Sequence, residues 1–370
     1  MAYVRTPAGR VPVRARDPGP RPALVLFPSA GEYPVYDDFA HHQMAGDETR
    51  MARFGAAVRR YARGRTVLDI GTGQEALWAL EAVRAGARHV WAVEVISRSA
   101  ELARRAVERA GVGDRITVLD GLSTRVDLPE PVDVCVAEII GTLGGAEGAG
   151  VVLRDARKRL VRPGGVIVPD RCVTTVVAVD LDRAGGGEPV AFPSQALPYV
   201  EQVFGAVGRP FDLRVCLVGL QDDAQLRDRA YLSDVAEVER LQFNSDLRPA
   251  GTDRGELMFT RTGRFSGLAL GVRLWVAADD DQPIDSLTQP GNWMPVYAPL
   301  SGVGVPVRPG DRFTFTLTAS ISDDGVHPDY TLEGGLHRHG RSPLPLGWRS
   351  AHHGEGFRGT PFYRSLFPTE

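Results

Sequence analysis

From Thr66 onward the chain alternates short apolar runs with helical periods. Val67 to Ile70 is a near-continuous apolar run, the pattern of a strand buried on both faces of a parallel sheet. A tight turn, Gly71-Thr72-Gly73, leads into a helical pattern from Ala76 to Arg84, and a second apolar run, His89 to Val93, ends on Glu94. An amphipathic helix is predicted over Ser97 to Ala110 and a third strand over Ile116 to Leu119. Val132 to Ala137 is the fourth strand and delivers Glu138 at its tip; a helix over Val151 to Leu160 and a strand over Val166 to Pro169 follow. Strands separated by helices at this spacing predict a parallel sheet with helical crossovers, a Rossmann-like α/β half.

Past Pro169 the period changes to two. Val173 to Val179, Phe211 to Leu220, Phe265 to Val276, Trp293 to Leu300 and Phe313 to Ile321 are strand-like, separated by Gly/Pro/Asp turns. They predict an antiparallel barrel or sandwich, taken here as a β-barrel. Upstream of the parallel half, Asp47-Glu48-Thr49-Arg50 opens a helix with Met51, Phe54, Val58 and Tyr61 at helical spacing. The expected organisation is an N-terminal arm (1–31) with a short apolar insert at Ala23 to Phe27, a cofactor-binding half (32–169), a barrel half (170–340) and a tail (341–370). The tail has no regular period and reads as an ordered wrap or a loose end. Residues 183–210, rich in Gly and Pro, read as an excursion from the barrel.

Composition narrows the function classes. At 370 residues there is room for two domains, and 24% charged with 43% hydrophobic residues is ordinary for a globular chain. A net charge of −3 implies no bulk attraction to nucleic acid or to an anionic membrane. Three widely spaced cysteines, Cys135, Cys172 and Cys216, make neither a disulfide framework nor a zinc site, so no metal is expected. With no apolar run of membrane-spanning length and no leader pattern, the expected location is the cytoplasm.

The glycine turn is where chemistry enters. Gly71 and Gly73 let backbone approach a ligand closely, and a carboxylate at the tip of the second strand, Glu94, can accept hydrogen bonds from two ribose hydroxyls. The turn reads G-T-G-Q-E-A, without the third glycine of a dinucleotide site, and Asp69 and Glu75 add negative charge where a pyrophosphate would lie. A sulfonium cofactor with an amino group tolerates those acids. S-adenosylmethionine, with S-adenosylhomocysteine as its product, is therefore favoured over NAD.

Four blocks in register give the chain a family resemblance: HHQMAGDETR (41–50), VLDIGTG (67–73), VAEIIGTLGGAE (136–147) and PIDSLTQPGNWMPVY (283–297). Together they resemble the protein arginine methyltransferase family, a class I methyltransferase sheet followed by a β-barrel. The resemblance implies a cofactor site of His41, Met44, Arg50, Asp69, Gly71, Gly73, Glu94, Val95, Gly121, Leu122, Ser123, Thr124 and Glu138. Within it Arg50 would pair with the cofactor's methionyl carboxylate, and Met44 would lie near the sulfonium. Glu138 and Glu147 would be catalytic, and Tyr36, Asn292 and Trp293 would face the acceptor. It also implies a homodimer, since the 183–210 excursion lies where the family carries a dimerisation arm, and an acceptor that is a peptide, a protein or a small molecule.

The glutamate pair has a physical rationale of its own. A guanidinium is planar and cationic, and its fork of N–H donors matches two carboxylates. Holding it from two sides leaves one terminal nitrogen in line with an already activated methyl, so the protein supplies placement and charge matching. Some positions depart from the family pattern. Glu75 stands for a third glycine, and Asn292 stands for the histidine of the barrel loop and cannot take up a proton. Ile139, Ile140 and Thr142, with the small Gly144-Gly145-Ala146, predict a wider pocket and a specialised acceptor. The leading expectation is N-methylation of a guanidino nitrogen. The alternatives are O-methylation of a peptide carboxylate or a natural-product hydroxyl, and a cofactor-binding scaffold without transfer activity.

Overall fold

The parallel half forms as its apolar runs require. In the computed structural model, which describes residues 2–6, 9–17, 24–30, 46–187, 189–206 and 211–368, five parallel strands form one sheet. From edge to edge these are Ile116–Asp120, His89–Glu94, Thr66–Ile70, Val132–Ala137 and Val161–Val168. Every residue of Val132–Ala137 is buried, which is why that strand reads as a continuous run and not an alternation. Its one charge, Asp133, accepts hydrogen bonds from the Thr66 N–H (2.7 Å) and hydroxyl (3.1 Å) and pairs with Arg162 at 2.5 Å. The order of strands reverses between Thr66–Ile70 and Val132–Ala137, so a crevice opens outside their carboxyl ends. The helix Glu48–Ala62 covers the sheet through Phe54 and Val58, and Phe54 stacks on Trp78 at 5.3 Å.

The remainder is antiparallel. One sheet runs in the order Tyr231–Gln242, Arg171–Val179, Gly267–Trp275, Val296–Pro299, Arg214–Val218, Val25–Ser29. A second runs Gly251–Met258, Arg312–Ile321, Pro328–His337, Leu344–Ser350. The two enclose one apolar core, to which Val176, Leu270, Val296, Phe313, Leu332 and Trp348 contribute. The apolar insert near the N-terminus is the strand Val25–Ser29, paired with Arg214–Val218 at the edge of the first of these sheets. The tail, read as lacking a period, supplies a sheet strand, Leu344–Ser350, and a short helix, Pro361–Leu366, whose Phe362, Tyr363 and Leu366 are buried. Four long strands escape the period-two reading, Tyr231–Gln242, Gly251–Met258, Pro328–His337 and Leu344–Ser350, as do the short Phe192–Pro193, Ile284–Asp285 and Val305–Val307. The expected run from Phe265 to Val276 is two strands, Gly263–Phe265 and Gly267–Trp275.

Over its described residues the 183–210 excursion carries the helix Leu197–Ala206, which packs against the chain's own Ala2–Thr6 and Val25–Ser29. The three cysteines are free and buried. Among the described residues no helix is long and apolar enough to cross a membrane.

Candidate active site

The crevice at the strand tips is lined by Arg50, Gly71, Thr72, Gly73, Glu94, Val95, Gly121, Leu122, Ser123, Glu138 and Glu147, with Trp78 and Ile96 at its sides. Gly71 has φ +74°, and a Cβ there would lie 2.9 Å from Ile139 Cγ2, so glycine is needed for the turn to pass this close. Glu94 is buried, and its two carboxylate oxygens accept the N–H of Gly73 (2.9 Å) and of Ile96 (3.0 Å). Each oxygen keeps a second lone pair for a hydroxyl. Exposed Glu75 stands at the lip, as the sequence placed it.

Two expected cofactor contacts lie elsewhere. Asp69 does not line the crevice. It is buried beneath the turn, where it accepts from the Thr72 hydroxyl (2.6 Å) and the Ala79 N–H (3.1 Å), and burial pushes its carboxyl up to about 7. A polar side chain three residues on, Thr72, captures it before a ligand can. Thr124 lies one residue beyond Ser123, at which the lining stops, in a short 3-10 turn. Tyr36, His41 and Met44 fall outside the described residues. The periodicity misses Trp78 at a helix start, Thr72 within the glycine turn, Ile96 just past a strand end and Val152 on the helix Ala149–Asp155, all of which line the crevice. Position at a strand end or a helix start was the available signal.

The fourth strand hands Glu138 to a loop that ends on Glu147. Arg50 approaches from the helix Glu48–Ala62, with Nη1 3.3 Å from Glu138 Oε2 and its guanidinium 3.9 Å from the centre of the Trp293 ring. Burial raises the Glu138 carboxyl, the Arg50 charge pulls it down and Glu147 raises it further, leaving it at about 7. Asp47, the N-cap of that helix, accepts the Arg50 N–H at 3.0 Å with one oxygen and the Asn292 N–H at 3.0 Å with the other. Asn292 thus meets Asp47 through its backbone. Trp293 donates its indole N–H to the Ile140 carbonyl at 2.7 Å, which ties the barrel loop to the glutamate loop.

A second cavity, about 770 Å³, adjoins the crevice. Asp47, Glu138, Glu147, Asn292 and Trp293 face it from one side, and Val25, Phe27, Tyr199, Cys216 and Val218 from the other. Arg50, Glu138 and Glu147 line both cavities, so the glutamates stand at the junction.

The glycines of the loop correct one expectation. They do not widen the pocket; they let the loop lie against the barrel. A Cβ on Gly144 would be 2.6 Å from Cys172 Sγ, and one on Gly145 would be 2.7 Å from Glu239 Oε1. Ile140 and Leu143 are likewise buried, and of this stretch Ile140 and Thr142 line the second cavity.

The crevice fits S-adenosylmethionine on the chemistry of its donors. Arg50 Nε is buried with no hydrogen-bond partner among the described residues, a donor suited to a carboxylate, and Glu94 offers acceptors for hydroxyls.

Known proteins resemble this chain in sequence and in fold. The arginine N(omega)-methyltransferase of Streptomyces achromogenes subsp. streptozoticus is 30% identical over 307 residues, 76% of this chain and 78% of that protein. Protein arginine N-methyltransferase PRMT10 of Oryza sativa subsp. japonica is 34% identical over 184 residues, 48% of each. Among solved structures, the Trypanosoma brucei PRMT1 enzyme-prozyme complex with AdoHcy matches with a TM-score of 0.65 at 20% identity, covering 86% of this chain and 100% of that one. Arabidopsis thaliana protein arginine methyltransferase 10 matches at 0.65 and 19%, covering 85% and 98%. At such identities these structures speak for the fold alone. No family model matches the chain. A relative of this similarity over most of both chains, with the two-part fold and a glutamate pair at the sheet switch point, places the chain in the arginine N-methyltransferase family.

Proposed function

We propose that the chain is an S-adenosylmethionine-dependent N-methyltransferase acting on a terminal guanidino nitrogen. The observation that carries this reading is the position of Glu138 and Glu147 on the boundary of two adjoining cavities, one rich in cofactor-type contacts and the other large enough for an acceptor. Arg50, Gly71, Gly73, Glu94, Val95, Gly121, Leu122 and Ser123 hold the cofactor, which when bound supplies an electrophilic methyl on a sulfonium. Glu138 and Glu147 receive the guanidinium fork from the second cavity and orient one nitrogen toward the crevice. A guanidinium has a pKa above about 12 and enters fully protonated, so the attacking nitrogen sheds one proton during or after transfer. Glu138, held at about 7, is the carboxylate suited to take it. Asn292, Trp293 and Thr142 line the acceptor side. The acceptor is a guanidino group on a peptide, a protein or a specialised metabolite.

The test is mass spectrometry after incubation with methyl-labelled S-adenosylmethionine, offering free arginine, arginine peptides and an extract in parallel. Label that survives mild base and maps to a guanidino nitrogen is the expected result. Label released as methanol would mark a carboxyl ester and refute the reading.

A further inference from the structure

Within the barrel, the pairing of Arg171–Val179 with Tyr231–Gln242 slips by one residue. Val173 faces Arg240 and Thr174 faces Val238, so Glu239 between them has no cross-strand partner. This is a β-bulge, a device that redirects one side chain and recurs beside active sites. Glu239 takes φ +46°, left-handed backbone that a residue other than glycine rarely adopts. Its N–H donates to Asp253 Oδ2 at 3.1 Å, which fixes the bulge.

The redirected carboxylate is buried and fully engaged. Oε1 accepts the Tyr330 hydroxyl at 2.6 Å, and Oε2 accepts the Thr174 hydroxyl at 2.5 Å and the Gly145 N–H at 3.4 Å. The Thr174 oxygen in turn accepts the Gly144 N–H at 2.9 Å. Two successive amides of the glutamate loop therefore end, directly or through one hydroxyl, on Glu239. Gly145 is two residues before Glu147, and the Gly148 N–H closes back onto the Gly145 carbonyl at 2.9 Å. Whatever holds Gly144 and Gly145 thereby sets where Glu147 stands. The loop has no side chain at either position because a Cβ would collide with Cys172 or with Glu239 itself.

We propose that Glu239 is a positioning residue for the guanidinium clamp: from its bulge it pins the 144–148 turn and so places Glu147 against the acceptor. This inference rests on the function proposed above. Its partners are barrel side chains and backbone amides of the glutamate loop, and none of these groups lines the cofactor crevice. Loss of Glu239 should therefore separate acceptor chemistry from cofactor binding.

The test compares wild type with E239A, E239Q and Y330F in the full chain. In E239A, kcat/KM for the guanidino acceptor should fall by roughly tenfold or more, as removal of a buried supporting partner does. S-adenosylhomocysteine affinity by calorimetry should stay within about twofold. E239Q, which keeps one acceptor oxygen, should recover part of the loss, and Y330F should show the same pattern at smaller size. Amide hydrogen exchange over 141–148 should quicken in E239A, a readout that needs no activity. Should wild type methylate no guanidino acceptor, the functional reading fails, while exchange still reports on the loop. Exchange and kcat/KM unchanged in E239A would overturn the proposal, as would cofactor affinity falling in step with turnover. If E239A does not fold, Y330F and E239Q carry the same comparison.

Discussion

One carboxylate, that of Asp47, joins the two halves of the active site, and removing it gives a prediction that can be worked through from the structure. Oδ1 caps the helix that carries Arg50, and Oδ2 holds the backbone of Asn292 in the barrel loop, each at 3.0 Å. Loss of an N-cap of this kind costs about 1 kcal/mol. An N–H donated to a charged, mostly buried acceptor contributes about 1.5 to 3 kcal/mol. Because the bonds share a side chain they are not strictly additive, and about 3 kcal/mol is expected for Asp47→Ala. Asp47→Asn is the discriminating variant. Asparagine caps a helix about as well as aspartate, so the first bond survives. Its amide, however, presents N–H to the Asn292 N–H, and the second bond is lost. Urea unfolding should therefore rank wild type above Asp47→Asn above Asp47→Ala. Calorimetric titration with S-adenosylhomocysteine should show affinity reduced about tenfold in Asp47→Ala, equivalent to about 1.4 kcal/mol as the first turn frays under Arg50, and little change in Asp47→Asn. The acceptor KM should rise in both. Equal cofactor affinities for the two variants, or an unfolding free energy for Asp47→Ala within about 0.5 kcal/mol of wild type, would refute the bridging argument.

The clamp needs Glu138 ionised, and with its carboxyl held at about 7, kcat/KM for the acceptor should climb as pH rises through that value and level off above it. A rate that falls over that interval would exclude the assignment, and Glu138→Gln should remove the rising limb together with most of the activity. The same group affects stability with the opposite slope. Its folded pKa lies above the ordinary 4.5, so its favourable contribution is complete below about 4.5 and is lost as pH rises through about 7. Glu138→Gln should therefore gain on wild type in unfolding experiments at pH 8 relative to pH 5. Glu94→Ala strands the N–H groups of Gly73 and Ile96 and removes the hydroxyl acceptors, so S-adenosylhomocysteine should bind at least about tenfold more weakly. An unchanged dissociation constant would dismiss Glu94 as a ribose contact. Trp293→Phe keeps an aromatic face for Arg50 but leaves the Ile140 carbonyl without its 2.7 Å partner. Acceptor turnover should drop by roughly tenfold, from a loss of about 1 to 2 kcal/mol, while cofactor affinity holds; parallel losses in both would argue for general unfolding instead.

The parts of this protein that were legible in the sequence are those whose determinants lie within a few residues of each other. Val67–Ile70 and Val132–Ala137 are apolar enough to be strands on their own account. Glu94 and Glu138 end such strands, and Asp47 begins a helical period, so period and position locate each of them. The strand Gly251–Met258 was hidden because most of its residues are exposed at a sheet edge, where no apolar alternation is required. Val25–Ser29 shows its apolar character but not its partner, Arg214–Val218, nearly two hundred residues on.

Tertiary structure alone decided how the two halves meet. The Asp47 to Asn292 bond spans 245 residues, Trp293 to Ile140 spans 153, and Glu239 to Gly145 spans 94. It also gave Gly144 and Gly145 their meaning: two small residues in a loop read as spare volume, while in three dimensions they are the faces that a sulfur and a carboxylate touch. Periodicity records which face of a strand or helix is buried, and it is blind to a one-residue slip between two strands. The bulge that turns Glu239 toward the catalytic loop is such a slip, and only the packed barrel creates it.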